Sequence, residues 1–401
     1  MSTRISSGMI YNQSLNTMLD KQGRIAHLQQ QLSTGQRLVT AADDPVAFGT
    51  AVTMDRADAA LAQFGQNANI VQNRLNLQEN ALSQAGSLMA RVNDLTVEAN
   101  SGALNTSNRQ AIASELKTLH DSLLSLSNST DGSGRYLFGG TADGNPPFTV
   151  VGGQAVYNGN QTQRSVEVAP DTKVSDTLPG SEIFMRVRTG DGSVDAHAGG
   201  SNTGTGLLLD FSRDGSSPGW NGSSYSVVFT DPNTYQVKDS SGTVINTGTY
   251  TAGDTLNFAG LNMHLDGAPA AGDSFQIGPS TNKDVFSTIN DLVNVLNTDP
   301  VTPTGKAALQ NALQSSMRDI SQATSKISAA RASGGAQLAA IDNASDLRSA
   351  NDVSLKTSLS SVRDLDYADA ISKYQLEQSA LKAAQTIFTQ MQSMSLFNMI
   401  R

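Results

Sequence analysis

Side chains able to do chemistry are few in this sequence, and they are scattered. The four histidines, His27, His120, His197 and His264, share no i, i+4 or HExxH-type spacing. Each therefore reads as a solvated or packing residue, not a metal ligand or general base. Gly204-Thr205-Gly206 precedes the apolar run Leu207-Leu208-Leu209 but does not complete a GxGxxG phosphate cradle, so it reads as a turn. Asp191-Gly192-Ser193-Val194-Asp195 has some flavour of a calcium loop, yet lacks the spacing and the closing glutamate of an EF-hand. No GxSxG, Walker A or paired-carboxylate constellation stands out. With no cysteine in the chain, disulfides and thiolate chemistry are excluded. The expectation is a protein with no catalytic, cofactor-binding or metal-binding residues, and not an enzyme.

Composition narrows the partners. A formal charge of -9 in a chain that is 16% charged does not suit nucleic acid, whose phosphates call for clustered Lys and Arg. No stretch approaches the roughly 20 apolar residues needed to cross a bilayer, so no membrane insertion is expected. Met1 to Gly8 shows no apolar h-region after Arg4, so no Sec-type signal peptide is expected either.

What elements carry this chain? Its texture is uneven. Most of the 35 glycines and 11 prolines, and about half the aromatics, including the single tryptophan Trp220, lie between Gly139 and Ser280. On either side the chain is rich in Ala, Leu, Gln, Ser and Asn and shows helical periodicity. Tyr11, Leu15, Met18, Ile25, Leu28 and Leu32 follow a heptad stripe. Asp43-Asp44-Pro45 reads as a helix-start turn, with Asp44 as N-cap and Pro45 in the first helical position. Ile70, Leu77, Ala81, Ala85, Leu88, Val92, Leu95 and Ala99 form a second stripe, and Ile112, Leu116, Leu119, Leu123 and Leu126 a third, after a break at Ser101-Gly102. In the C-terminal arm, Val285 to Leu296 reads as a short helix. The proline-free run from Thr304 to Val362 would span roughly 90 Å as one helix. Ile371, Tyr374, Leu381, Ala384, Phe388 and Met391 mark the last stripe, with Phe397 beyond them.

The middle reads as β-structure. Ser226–Phe229, Thr234–Val237, Val244-Ile245, Leu256–Phe258 and Ser274–Ile277 are expected strands, with a turn at Ser241-Gly242. The fold class expected is mainly α with an inserted β domain: an antiparallel helical stalk or coiled coil formed by both chain ends. Three regions follow: terminal coiled-coil helices at 1–44 and 363–401, a helical stalk at 45–140 and 283–362, and a β-rich outward-facing domain at 141–282. Chain ends fray unless held, and narrow apolar seams support isolated helices weakly. The seams of the first and last helices are therefore expected to meet each other and neighbouring subunits.

Several segments resemble a known family. Gln31-Leu32-Ser33-Thr34-Gly35-Gln36-Arg37-Leu38, followed by Ala41-Ala42-Asp43-Asp44-Pro45, is similar to the N-terminal segment of flagellin-related proteins. Asn128 to Gly140, with Pro147-Phe148 after it, resembles the hook-associated protein 3 family more closely than flagellin. Asp364-Leu365-Asp366-Tyr367-Ala368-Asp369-Ala370-Ile371 and Ser395-Leu396-Phe397-Asn398 point the same way, whereas the terminal Arg401 is a flagellin trait. The likeness covers both helical arms. It implies a structural subunit of the bacterial flagellum, extracellular and exported by the flagellar type III apparatus without a cleaved signal. It further implies an adaptor at the hook–filament junction, with hook-associated protein 1, flagellin and further copies in a ring layer as partners. An export chaperone is implied on the C-terminal helix. Two alternatives stay open: a divergent flagellin, and a stalked adhesin whose only sequence feature is Trp220 between Pro218-Gly219 and Asn221-Gly222.

Overall fold

The computed structural model describes residues 7–101, 104–215 and 219–399. Gly102, Pro218 and Arg401 lie outside them, as does the side chain of Phe397. Six α-helices occur among the described residues: α1 (Ser7–Thr34), α2 (Pro45–Ala99), α3 (Thr106–Ser127), α4 (Val285–Leu296), α5 (Pro303–Arg363) and α6 (Tyr367–Met399). Their starts follow from capping chemistry. The Ala47 N–H donates to Asp44 Oδ1 at 3.0 Å, the Asn108 N–H to Asn105 Oδ1 at 2.8 Å, and the Ser287 N–H to Asp284 Oδ1 at 2.7 Å. Each cap satisfies an N–H that the helix itself leaves unpaired.

The chain divides into two compact units, one from the described residues up to 66 and from 344 onward, the other from 67–343. In the first unit α1 and α6 run antiparallel. Tyr11 packs on Phe388, with ring centroids 5.1 Å apart, near one end of the pair. Gln29 Nε2 donates to Tyr374 Oη at 3.0 Å near the other. The same unit contains the start of α2 and the end of α5, joined by a two-pronged pair from Arg363 to Asp55 at 2.7 and 3.3 Å.

The second unit has two hydrophobic cores. The first is helical: Leu82, Met89 and Leu95 of α2, Leu116 and Leu123 of α3, Ile289 and Leu292 of α4, and Leu313 and Ile320 of α5 are almost fully buried. The periodicity is close to the expected one but rotated at its start. Ile70 is 69% exposed, and Val71 and Leu75 face inward instead. A period-3.6 helix drifts against a strict heptad count, which moves the first member off the seam.

This core also takes in residues from the glycine-rich stretch. A hairpin of β1 (Phe148–Val151) and β2 (Gln154–Tyr157) is followed by a second, β3 (Ser165–Ala169) with β4 (Thr172–Ser175), and then by a π-helical turn at Ser181–Met185. Phe148 of the first hairpin and Phe184 of the turn meet Phe138 and Phe286 in a cluster of tilted and edge-on rings, with centroids 5.5 to 6.1 Å apart. Such geometry matches the ring quadrupoles, positive edge to negative face. Phe148, Ala155, Ile183, Phe184 and Val187 of this stretch therefore share a core with the helices.

Beyond β5 (Val187–Arg188) lies the second core, an antiparallel sandwich. Its strands are β6 (Val194–Ala198), β7 (Leu207–Arg213), β8 (Tyr225–Asp231), β9 (Thr234–Asp239), β10 (Val244–Thr249), β11 (Thr255–Phe258), β12 (Leu261–Asp266) and β13 (Ser274–Pro279). One sheet has the order β10-β9-β8-β13-β6 and the other β11-β12-β7. Strict alternation builds the core: Val227 and Phe229 point in while Ser226 and Val228 are half-buried, and Leu261, Met263 and Leu265 alternate with Asn262, His264 and Asp266. The chain returns through β14 (Asn282–Lys283), which pairs with β5.

The two turn motifs act as local fasteners. Asp191 Oδ1 accepts from the Ser193 and Val194 N–H groups, and Asp273 accepts from the N–H groups of Thr203, Gly204 and Ala270. Their carboxylates are spent on backbone donors. A helix also holds the sandwich: α5 presents Thr304, Asn311 and Arg318 at seven-residue steps, bonded to the carbonyls of Thr203, Gly206 and Ala196 respectively.

Candidate assembly surfaces

The helix-start turn shows how local chemistry sets up the α1–α6 pair. Gly35, with φ of 69°, ends α1 in the left-handed region, and a Cβ there would sit 2.8 Å from Tyr367 Oη. The chain then pairs with the α5–α6 connection: the Arg37 N–H donates to Arg363 O at 2.7 Å and the Leu365 N–H to Gly35 O at 3.0 Å. Asp366 caps α6, accepting from the Ala368 and Asp369 N–H groups. The resemblance segments around Gly35 and Asp366 are thus two sides of one joint.

Asp43 closes the turn. Its Oδ2 accepts from the Thr40 and Val39 N–H groups at 2.8 and 2.9 Å, and Oδ1 lies 2.8 Å from His27 Nε2. The Thr40 N–H holds the carboxyl below its ordinary value, with Val39 and His27 adding to the effect against the cost of burial. A depressed folded-state pKa contributes stability above the ordinary value of 3.8, and that stability is lost as pH falls through the lowered one. Comparing wild type with Asp43→Asn by urea unfolding should show a stability difference from neutral pH down to about 3.8. The gap should close below that; one that persists unchanged in acid would assign the effect to packing.

Along the pair, Lys21 and Arg24 of α1 meet Glu377 of α6 at 2.8 and 3.4 Å, and Lys21 leads in holding the Glu377 carboxyl below its usual range. Of the seam residues read from the sequence, Met18, Ile25, Leu28, Leu32, Tyr374, Leu381, Ala384 and Phe388 are half-buried. Tyr11, Leu15, Ile371 and Met391 remain exposed.

The stripe count misses a second seam. On α6, Leu376, Ala380, Ala383 and Ile387 follow steps of 4, 3 and 4, and Leu376 and Ile387 are 70% and 57% exposed. On α1, Leu19, Gly23 and Ala26 form a parallel line, with Leu19 55% exposed. The signal was present, offset from the first seam by one or two residues and diluted by Ala and Gly. One apolar line of the α1–α6 pair is thus half-closed while the other stays open to solvent.

Among the described residues, no group of His, Asp and Glu side chains could hold a metal ion, and no helix is long and apolar enough to cross a membrane. Trp220 is half-buried against the sandwich core, its Nε1 donating to Ser223 O at 2.8 Å and Arg213 lying 5.3 Å over its ring. One face of the indole is therefore already covered.

Long helices from both chain ends with a β-sandwich inserted in the chain between them define a flagellin-like fold. The bacterial flagellin N-terminal helical region matches residues 5–143, and the D2-like domain of flagellar hook-associated protein 1 matches residues 199–279. The crystal structure of FlgL from Xanthomonas campestris is 66% identical, covering 77% of this chain and 99% of that one, with a TM-score of 0.73. The flagellar junction protein FlgL from Legionella pneumophila is 27% identical over 80% of this chain and all of that one, with a TM-score of 0.70. Flagellar hook-associated protein 3 of Salmonella typhimurium is 25% identical across 99% of the chain and its own full length. The chain belongs to the FlgL, or flagellar hook-associated protein 3, family, structural proteins of the flagellar hook–filament junction. These relatives are structural, and no catalytic family is indicated.

Proposed function

We propose that this protein is the adaptor layer between hook-associated protein 1 and the flagellin filament. The open second seam of the α1–α6 pair carries the reading. Residues 1–44 and 363–401 form an inner layer of helices, in which the half-buried first seam closes each subunit's hairpin and the second meets neighbouring copies. Residues 45–140 and 283–362 surround that layer, and the β domain faces outward. The subunit travels through the flagellar type III apparatus to the cell exterior, with a chaperone covering α6 beforehand by helix-in-groove recognition. Its apolar lines, exposed before assembly, are what such a chaperone shields. Electron microscopy of cells lacking the protein tests the role. Intact hooks without filaments, with flagellin lost to the medium, are expected; normal filaments would overturn it.

A further inference from the structure

Asparagine followed by glycine occurs twice in this chain, at Asn158-Gly159 and Asn221-Gly222, and the structure treats the two pairs differently. Asn221 lies exposed in the loop before β8. Its Oδ1 accepts two hydrogen bonds, from the Ser223 N–H at 3.0 Å and from Tyr225 Oη at 3.1 Å. The first is an Asx turn, which curls the carboxamide back over the following peptide bond. Gly222 has φ of 83°, and a Cβ built there would meet nothing within 4 Å. The turn folds the Asn221 carboxamide over the peptide bond to Gly222, and the space beside the Gly222 Cα is open. Two donors point at the oxygen on which charge develops when that nitrogen attacks.

Asn158 is held the other way. Its Nδ2 donates to Thr149 Oγ1 at 2.8 Å, and its N–H to Pro147 O at 2.8 Å. Gly159 is hemmed in: a Cβ there would lie 2.5 Å from Tyr157 Oη and 2.8 Å from Gly139 O. The leaving nitrogen is tethered, and ring closure has no room.

We propose that Asn221-Gly222 is a self-modification site, where the loop promotes deamidation of Asn221 through a cyclic imide. The Gly222 nitrogen gives its proton to water or hydroxide and forms a bond to Asn221 Cγ. The displaced carbonyl electron pair resides on Oδ1, held by the Ser223 and Tyr225 donors in the manner of an oxyanion hole. Collapse of that intermediate breaks the Cγ–Nδ2 bond, and Nδ2 leaves as ammonia with a proton from water. Water then adds across one imide carbonyl and opens the ring to an aspartyl or isoaspartyl residue. The net change is one water consumed and one ammonia released, with no redox step. Both products place a new carboxylate in the loop next to Trp220, over which Arg213 lies. The isoaspartyl form also reroutes the main chain just before Ser223, whose carbonyl anchors the Trp220 indole.

Trp220 is the only tryptophan in the chain, so its fluorescence reports on this loop alone. The test is to age the full-length protein in mildly alkaline buffer, map its peptides by mass spectrometry and label isoaspartyl groups by enzymatic carboxyl methylation. Label and mass change concentrated at Asn221, with Asn158 intact and Trp220 emission drifting in step, is the expected result. Conversion at Asn158 as fast as at Asn221, or none at Asn221, overturns the proposal. Tyr225→Phe keeps the ring that packs on Phe258 and removes one donor, and should slow conversion about tenfold. An unchanged rate in that variant, with its thermal unfolding intact, also overturns it.

Discussion

Phe388→Asp should abolish both chaperone binding and incorporation into the flagellum while leaving the helical core of residues 67–343 intact. Phe388 is half-buried on α6 with Tyr11 of α1 against it. Burying such a side chain contributes roughly 1.5–3 kcal/mol, and a charge in its place should open the first seam. Ile387→Asp, one residue away on the second seam, should leave the α1–α6 pair closed and still block incorporation, because its side chain is already exposed in the single subunit. Thr386→Asp, turned away from Phe388, is the control expected to behave as wild type. The measurements are pull-down with the chaperone, microscopy of complemented cells and circular dichroism during thermal unfolding. Normal incorporation of folded Ile387→Asp protein would show that the second seam is not an interface. If Phe388→Asp lowered the main unfolding transition by several kcal/mol but assembled normally, the pair would belong to the monomer core.

The largest effect on folding is expected from where the β-rich stretch is cut. The Thr189 N–H donates to Thr281 O at 2.9 Å, so the chain enters and leaves the sandwich through adjacent residues. Replacing 191–280 with a short Gly-Ser turn should leave a folded helical protein, because the sandwich has its own core around Val227, Phe229, Phe275 and Leu261. It also removes the partners of Thr304, Asn311 and Arg318, whose polar ends then meet solvent. Cutting 141–282 instead takes Phe148 and Phe184 out of the helical core. Removing one buried Phe costs about 3–5 kcal/mol. Losing two approaches the whole of a typical domain's stability of about 5–15 kcal/mol. The longer deletion should therefore yield an aggregated or unfolded chain by circular dichroism and gel filtration. Equal folding of both deletions would remove the shared core from the account.

Much of this was legible in the residues themselves. Local chemistry set the helix start at Asp44-Pro45, since a cap needs only its own next few N–H groups. Strands such as Ser226–Phe229 and Ser274–Ile277 were visible because their inward residues are large and β-branched or aromatic. The strand Leu261–Asp266 is hard to read from sequence although it alternates perfectly, because Asn, His and Asp on its outer face resemble a loop. The first seam was legible as the strongest heptad line; the second, built partly from Gly23, Ala26, Ala380 and Ala383, was not, since small residues carry little periodic signal.

The sequence by itself determined that the chain is a helical frame with a β insert, because periodicity and caps are local properties. Only the tertiary structure decided which residues share a core. Phe148 and Phe184 sit in a stretch whose composition says β domain, yet their rings complete the helical core, because packing answers to distance in space and composition does not. It also decided which apolar line of α6 remains open. Two seams a residue or two apart on one helix are equivalent until a partner, here α1, covers one of them.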